Sequence, residues 1–489
     1  MVTYGFVRPA LMITIGLLLM VAVGLAGTME GKVPITTTSN QALDQFLKGR
    51  DLAERLRVQD ARPYFEKAIA LDPNFALAHL NLAFVAPSAK LFFEHHDIAK
   101  GLIDKVSEGE KLMILGVEAG NNAQPMKQRE IYQKLVTMFP DDERVHNLLG
   151  TNYFGQQQWE QAVEHYKKST EINSSFSPPY NQMGYAYRFL EKYPEAETSF
   201  QKYIELIPDD PNPYDSYAEL LMKMGRYQES IDNYKKALAV SPTFAASHIG
   251  IATNLNFMGK YPEARTQLQE LYNNARDDGQ RRQAHFAMAV SYADEGNTEM
   301  AINEIKNQYI IAEQIGDYAA MSGDAITMGN IYYSAGQYDD AMKMYQKSVS
   351  LIEKANLTEE VKDNTRRNFL FNEARIALMK GDLQTAKVKT DEYKMKVETL
   401  NNPFQIRLAH ELKGMIALEE KDFKTAHTNL LKANQQNPQN LCRLAEVYMA
   451  EGDQQEAKAM CQKAVNFNQL NSLNQAFAKH KAKRMLAGM

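Results

Sequence analysis

The 489-residue sequence predicts an all-α solenoid, in which helical hairpins stack along one axis and a final helix caps the stack. Three observations predict it. The chain is too long for one ordinary hydrophobic core, so it must either split into domains or grow as a repeat array. Between Glu143 and Phe244 small and bulky residues recur every 34 positions: Gly150, Gly184 and Ala218, then Ala162, Ala196 and Ser230, then Tyr166, Phe200 and Tyr234. Small residues let two helices approach closely, and large ones fill what remains. Third, the helix ends are punctuated. Gly225, Gly259, Gly296, Gly336, Gly381 and Gly452 precede the predicted second helices, where a left-handed residue closes the first helix, while Pro73, Pro140, Pro208, Pro242 and Pro438 come after them.

Taken in order, residues 1–27 carry Arg8, the apolar run Ala10 to Leu25 and then Ala26 and Gly27, the pattern of a signal peptide or of a retained N-terminal membrane anchor. Either one predicts export of the rest of the chain, because the positive charge stays on the inner side. Residues 28–41 read as a linker. A first array spans 42–270, with units starting near Ala42, Gly109, Glu143, Ser177, Pro211 and Ala245. Within it, 76–108 departs from the pattern around Pro87 and reads as a divergent hairpin or inserted helix. A second array spans 271–470, with units near Arg282, Ser322, Arg367, Arg407 and Pro438, where runs such as Ala301 to Ile315 predict longer second helices. Residues 471–489 form the capping helix and tail.

The series Gly150, Tyr153, Ala162 and Tyr166 resembles the tetratricopeptide repeat superfamily position by position. That unit has Ser174 where the family closes with Pro, but Pro208 and Pro242 supply it in the next two. The order of units is similar to exported bacterial members of the superfamily. The resemblance implies a right-handed superhelix whose first helices line a concave groove for a protein or peptide partner. Carried over residue by residue, it implies a groove of Asn147, Thr151 and Phe154, of Asn181, Tyr185, Arg188 and Phe189, of Asp215, Glu219 and Met222, and of Asn256 and Phe257. Amides can pair with a peptide backbone, and Phe, Tyr and Met add apolar contact. One subclass clamps a terminal carboxylate with Lys, Asn and Arg on three successive first helices; here Asn147 and Thr151 stand at the first pair of positions, Gln182 keeps an amide at the next, and Asn212 and Ser216 sit where cations would be wanted, so the clamp is not carried over.

Nothing in the sequence points to catalysis. It contains no phosphate-binding glycine loop, no zincin motif and no nucleophile elbow. Glu94, His95, His96 and Asp97 are consecutive, and consecutive helical residues diverge too widely to face one metal. His410 and Glu411 begin a zincin motif, but Gly414 stands where the second His would be. No cofactor and no metal are expected. A net charge of -5 gives no field for nucleic acid. The basic cluster Lys479, His480, Lys481, Lys483 and Arg484 suits the C-terminus of a capping helix. Cys442 and Cys461 could face each other across a hairpin or simply be two buried thiols. The sequence therefore predicts an exported interaction scaffold and no enzyme, or else an accessory or cargo-binding subunit in outer-envelope assembly or nutrient uptake. Membrane contact is expected only if the N-terminal segment is retained.

Overall fold

The computed structural model describes residues 25–26 and 31–489. The signal or anchor segment thus lies almost wholly outside the described residues, and none of the described helices is long and apolar enough to cross a membrane. Among the described residues there are 25 α-helices, and extended pairing is confined to Leu25–Ala26 with Ile35–Thr36.

The helices pair in sequence. The first hairpins are Asn40–Glu54 with Val58–Leu71 (α1, α2), Ala76–Phe84 with Ala89–Gly101 (α3, α4), Glu108–Asn121 with Pro125–Met138 (α5, α6) and Glu143–Gly155 with Trp159–Ile172 (α7, α8). Next come Pro178–Phe189 with Tyr193–Leu206 (α9, α10), Pro211–Lys223 with Tyr227–Val240 (α11, α12), Ala245–Phe257 with Tyr261–Asn273 (α13, α14) and Asp278–Glu295 with Thr298–Gln314 (α15, α16). The last are Tyr318–Ser334 with Tyr338–Lys354 (α17, α18), Glu359–Met379 with Leu383–Thr399 (α19, α20), Pro403–Glu419 with Phe423–Lys432 (α21, α22) and Pro438–Glu451 with Gln454–Val465 (α23, α24). Leu473–Ala487 (α25) closes the stack. The divergent stretch is a hairpin, α3 and α4, with Pro87 in its loop.

The 34-residue beat has a direct packing cause. In each of several hairpins a glycine of the first helix receives a large side chain placed 16 residues later. Gly49 lies under Phe65, Gly116 under Tyr132, Gly150 under Tyr166, Gly184 under Phe200, Gly329 under Tyr345 and Gly414 under Leu430. A Cβ at any of them would fall within 2.8 Å of that side chain. Phe65, Tyr166, Phe200 and Tyr345 are among the most deeply buried residues of the chain, so the pairs form the spine of the array.

The punctuation holds with two differences. Pro438 opens α23, where its missing N–H is no loss, and Asn437 caps that helix. The left-handed hairpin residue is glycine at Gly225, Gly259, Gly296, Gly336, Gly381 and Gly452, but Leu56, Ala123, Gln157, Glu191 and Lys421 hold the same conformation elsewhere, with φ between 57° and 61°. An L-residue there is strained by about 1–2 kcal/mol, offset in part by glycine's greater freedom in the unfolded chain. Lys421→Gly, at an exposed site, is expected to stabilise the α21–α22 hairpin by about 0.5–1 kcal/mol, read as a rise in its melting temperature.

In the later hairpins the first helices lengthen as well as the second. α15 and α17 reach 18 and 17 residues, and α19 reaches 21. Their starts precede the repeat frame because the capping acids stand upstream: Asp277 accepts from Gln280 N and Asp317 from Ala320 N.

The array also returns on itself. Loops of the first six hairpins meet loops of the last six: the Lys90 amide donates to Asp317 (3.1 Å), Asn402 to the Ala123 carbonyl (2.8 Å), Gln157 to Asn434 (2.9 Å) and Tyr227 to Asn468 (2.9 Å). Arg62 pairs with Asp277, and Arg276 with Asp60. α25 is held on two sides, by Ala478 and Ala482 against Cys442 and Cys461, and by Ala476 against Ala289 and Ala293 of α15.

Candidate interaction surface

The wall positions read from the sequence separate into three groups. Asn147 is half-buried and Asn181 is 5% exposed; the Oδ1 of each is buried without a hydrogen-bond partner. Exposed Thr151 donates back to the Asn147 carbonyl at 2.9 Å. Phe154 and Phe189 close on Trp159, with ring centroids 4.9 and 4.5 Å from the indole, a cluster between two hairpins.

The third group is inward. Tyr185 donates to Glu219 (3.0 Å), Arg188 binds the other oxygen of that carboxylate, and Ser247 donates to Asp215 (2.7 Å), so buried polar contacts tie α9 to α11 and α11 to α13. Burial pushes the Asp215 carboxyl up to about 7, against the Ser247 bond. Met222 is fully buried. Asn256 accepts from Ser291 at 2.8 Å, and Phe257 is half-buried against Tyr227 with the Lys479 ammonium over its ring. Arg188, Asp215, Met222 and Asn256 therefore pack between hairpins and do not form an open wall. The repeat period fixes which residues are equivalent. It does not fix how far each hairpin rotates against the next, and that rotation turns these side chains inward.

A cavity of about 810 Å³ opens instead on the inner side of the N-terminal hairpins, and Asn147 and Asn181 line it. Its remaining lining was not singled out from the sequence. Leu43, Leu47, Leu77, Phe84, Met113 and Leu148 form the apolar floor, with Phe84 55% exposed. The available signal was α3 itself, ALAHLNLAF, apolar on nearly every side where an amphipathic helix would be polar on one. Val33 and Ile35 supply a wall, because the stretch read as a linker is bound across the hairpin ends. Its backbone amides are taken by capping acids in succession: Thr38 by Asp72 (2.9 Å), Thr36 by Glu110 (2.8 Å) and Val33 by Asp142 (2.9 Å). Charges at the rim are paired among themselves. Arg144 reaches Glu54 through two bonds (2.6 and 3.0 Å) and Glu143 through a third, and Lys32 pairs with Glu143. Burial alone would raise the Glu143 carboxyl, but Lys32 and Arg144 outweigh it and hold it below its ordinary value.

Most of the other residues singled out from the sequence have structural partners. Among the described residues no group of three or more His, Cys, Asp or Glu gathers to hold a metal. His95 faces His79, His96 stacks on Phe92, and His410 meets Asn429. The C-terminal cations serve contacts within the chain more than the helix end: Lys479 pairs with Asp294, His480 with the Asp294 carbonyl and Lys481 with Glu446. Cys442 and Cys461 are buried free thiols, and burial pushes the Cys442 thiol up to about 11.

Two histidine pairs carry a pH dependence. His79 Nε2 faces the Pro73 carbonyl (3.2 Å) and His146 Nε2 the Pro140 carbonyl (2.9 Å), so both nitrogens hold the proton. Each Nδ1 is then an acceptor, facing Nδ1 of His95 at 3.1 Å or of His165 at 3.5 Å. A proton added to the inner ring would set two N–H groups against each other. Burial lowers all four values, despite Glu66 and Glu94 beside His95, Glu164 beside His165, and Asp141 and Asp142 beside His146; Lys168 lowers His146 further. The folded chain thus binds fewer protons than the unfolded one, so this stability is complete above the ordinary histidine value of about 6.5 and is lost as pH falls below it. The contribution of the two pairs should be constant above about pH 7 and shrink towards about pH 5, opposite in sign to that of Asp215, so it is read as a difference: the melting temperature should fall less between about pH 7 and about pH 5 in His165→Gln than in the parent chain.

Five stretches, 46–86, 177–210, 221–289, 326–357 and 438–469, match the family described as tetratricopeptide repeat. The type IV pilus assembly protein PilF of Pseudomonas aeruginosa is 28% identical over 170 residues, which cover 32% of this chain and 66% of that protein. The chain thus spans just under two thirds of that relative's length. A solved structure, "Crystal structure of YrrB: a TPR protein with an unusual peptide-binding site", is 19% identical and covers 37% of this chain and 91% of its own, with a TM-score of 0.25.

Proposed function

The chain belongs to the tetratricopeptide repeat superfamily, and from that premise we propose that it is an exported, non-catalytic scaffold that holds a protein or peptide on the inner wall of its N-terminal hairpins. One observation carries the reading: a cavity of about 810 Å³ with an apolar floor, on which Leu47 and Phe84 are 38% and 55% exposed, is lined by the first helices of the N-terminal hairpins. Export rests on the sequence, on Arg8 followed by the apolar run to Leu25.

A second reading, an accessory or cargo-binding subunit in outer-envelope assembly or nutrient uptake, draws its support from the likeness to a pilus assembly protein. Cells producing the chain with a photo-crosslinking residue at Phe84 test both. A discrete protein adduct, absent when the probe stands at exposed Met395 outside the cavity, is the expected result. Equal capture at both positions would remove the cavity from the reading. An adduct with an outer-envelope complex would select the second reading. Asn147 and Asn181 are the positions to substitute in support, since Arg188 is committed to Glu219 and its loss would disturb the fold.

A further inference from the structure

We propose that the seam between the two halves of the array is a clasp, which opens and closes as a unit while every hairpin stays folded. The inference concerns the shape of the array and stands apart from what its inner wall holds.

Apolar packing runs along the chain and not across the seam. Among the described residues no hydrophobic cluster joins α1–α12 to α16–α24; each gathers neighbouring hairpins, and the two that skip ahead do so through Leu470 and α25. α25 docks α23 and α24 onto α15, so the last five hairpins close on themselves and form one body. The N-terminal hairpins join that body through one continuous apolar contact, where α13 and α14 meet α15 at Ala252, Leu271, Ala284 and Met288.

The loops that face each other across the seam meet through polar groups. Arg62 pairs with Asp277 at 3.1 Å and Arg276 with Asp60 at 2.8 Å. Lys463 pairs with Glu191 at 3.1 Å, with 51% and 62% of the two side chains exposed. Other side chains reach the backbone: Asn402 donates to the Ala123 carbonyl, Arg407 to the Gln156 carbonyl (3.3 Å) and Lys223 to the Phe467 carbonyl (2.5 Å). Such bonds replace bonds to water and add little net stability, whereas the apolar contacts within each half grow with buried area. Water can satisfy the same groups once the seam parts. Opening therefore costs less than unfolding a hairpin, and it breaks one kind of contact together.

The two faces approach most tightly at α15. A Cβ at Gly279 would lie 3.0 Å from the Pro87 carbonyl oxygen in the α3–α4 loop, so a larger side chain there acts as a wedge.

The test is small-angle X-ray scattering of the purified full chain, with circular dichroism on the same samples. Raising salt from about 0.1 M to about 1 M shortens the screening length from about 10 Å to about 3 Å. The radius of gyration should rise with no loss of helix signal. Glu191→Cys with Lys463→Cys, joined by a bismaleimide, should hold the radius at its low-salt value; Cys442 and Cys461 are buried, which leaves the reagent to the new pair. Gly279→Leu should show the larger radius already at low salt. Gly323→Leu, whose added Cβ meets nothing within 4 Å, should match the parent chain. A radius unmoved by salt, or unmoved by Gly279→Leu, overturns the clasp, as does a rise that the cross-link fails to stop. A rise accompanied by loss of helix signal is unfolding and overturns it too.

Discussion

Gly150→Val is expected to cost about 3 kcal/mol or more and to melt the α7–α8 hairpin with its neighbours. A Cβ at Gly150 would lie 2.6 Å from the Tyr166 ring, and valine adds two further carbons in the same direction. The ring cannot withdraw: it is fully buried, packed with Ala162 and Met183, and its hydroxyl lies 3.5 Å from Thr151. Backbone must therefore move, and it would open the contact between helices on which the next hairpin stands. Gly155, at the end of the same helix, is the control, since nothing lies within 4 Å of its added Cβ. Gly155→Ala should be neutral or stabilising by up to about 1 kcal/mol, from helix propensity alone. Because a repeat array need not unfold in one step, hydrogen exchange resolved by helix is the right measurement. Loss of protection confined to α7, α8 and α9 fits this account; unchanged protection there would refute the spine of small and large residues.

That spine was the most legible part of the chain, for a physical reason. The Gly150–Tyr166 contact and its equivalents link residues 16 apart, so local spacing carries both halves of each contact. Contacts between the two halves of the array were silent. Gln157 meets Asn434 across 277 positions and Asn402 meets Ala123 across 279, and no periodicity encodes how far a stack must curve before its loops touch. Non-glycine residues in left-handed hairpin turns, such as Glu191, were hidden too, because the fold imposes that strain and the residue does not prefer it. At the site, Asn147 and Asn181 came from their 34-residue spacing, whereas Val33, Ile35 and Phe84 did not. The strap is recognised mainly through backbone amides and threonine hydroxyls, which leave no hydrophobic pattern, and α3 is too short and too evenly apolar to reveal a face.

The last helix offers the second large effect, since it ties the final hairpin back onto α15 in the middle of the array. Lys479 donates to Asp294 of α15 at 2.8 Å, with 9% and 4% of the two side chains exposed, so the pair is shielded from water and salt. Lys479→Met would leave a buried carboxylate with Tyr261 as its remaining side-chain donor (3.2 Å), at a cost of about 3–5 kcal/mol. The cost falls on one docking event, because α25 joins α15 on one side to α23 and α24 on the other. Protection of α25 from hydrogen exchange should therefore be lost, and trypsin should cut after Lys481 and Lys483 at concentrations that spare the parent chain. Lys479→Met with Asp294→Leu removes both charges and should recover much of the loss, since an apolar pair can replace a buried ion pair. Should the single variant keep α25 protected, docking would rest on the apolar contacts of Ala476, Ala478 and Ala482 with the bonds of Gln475, His480 and Lys481, and the buried pair would be a consequence of closure and not its cause.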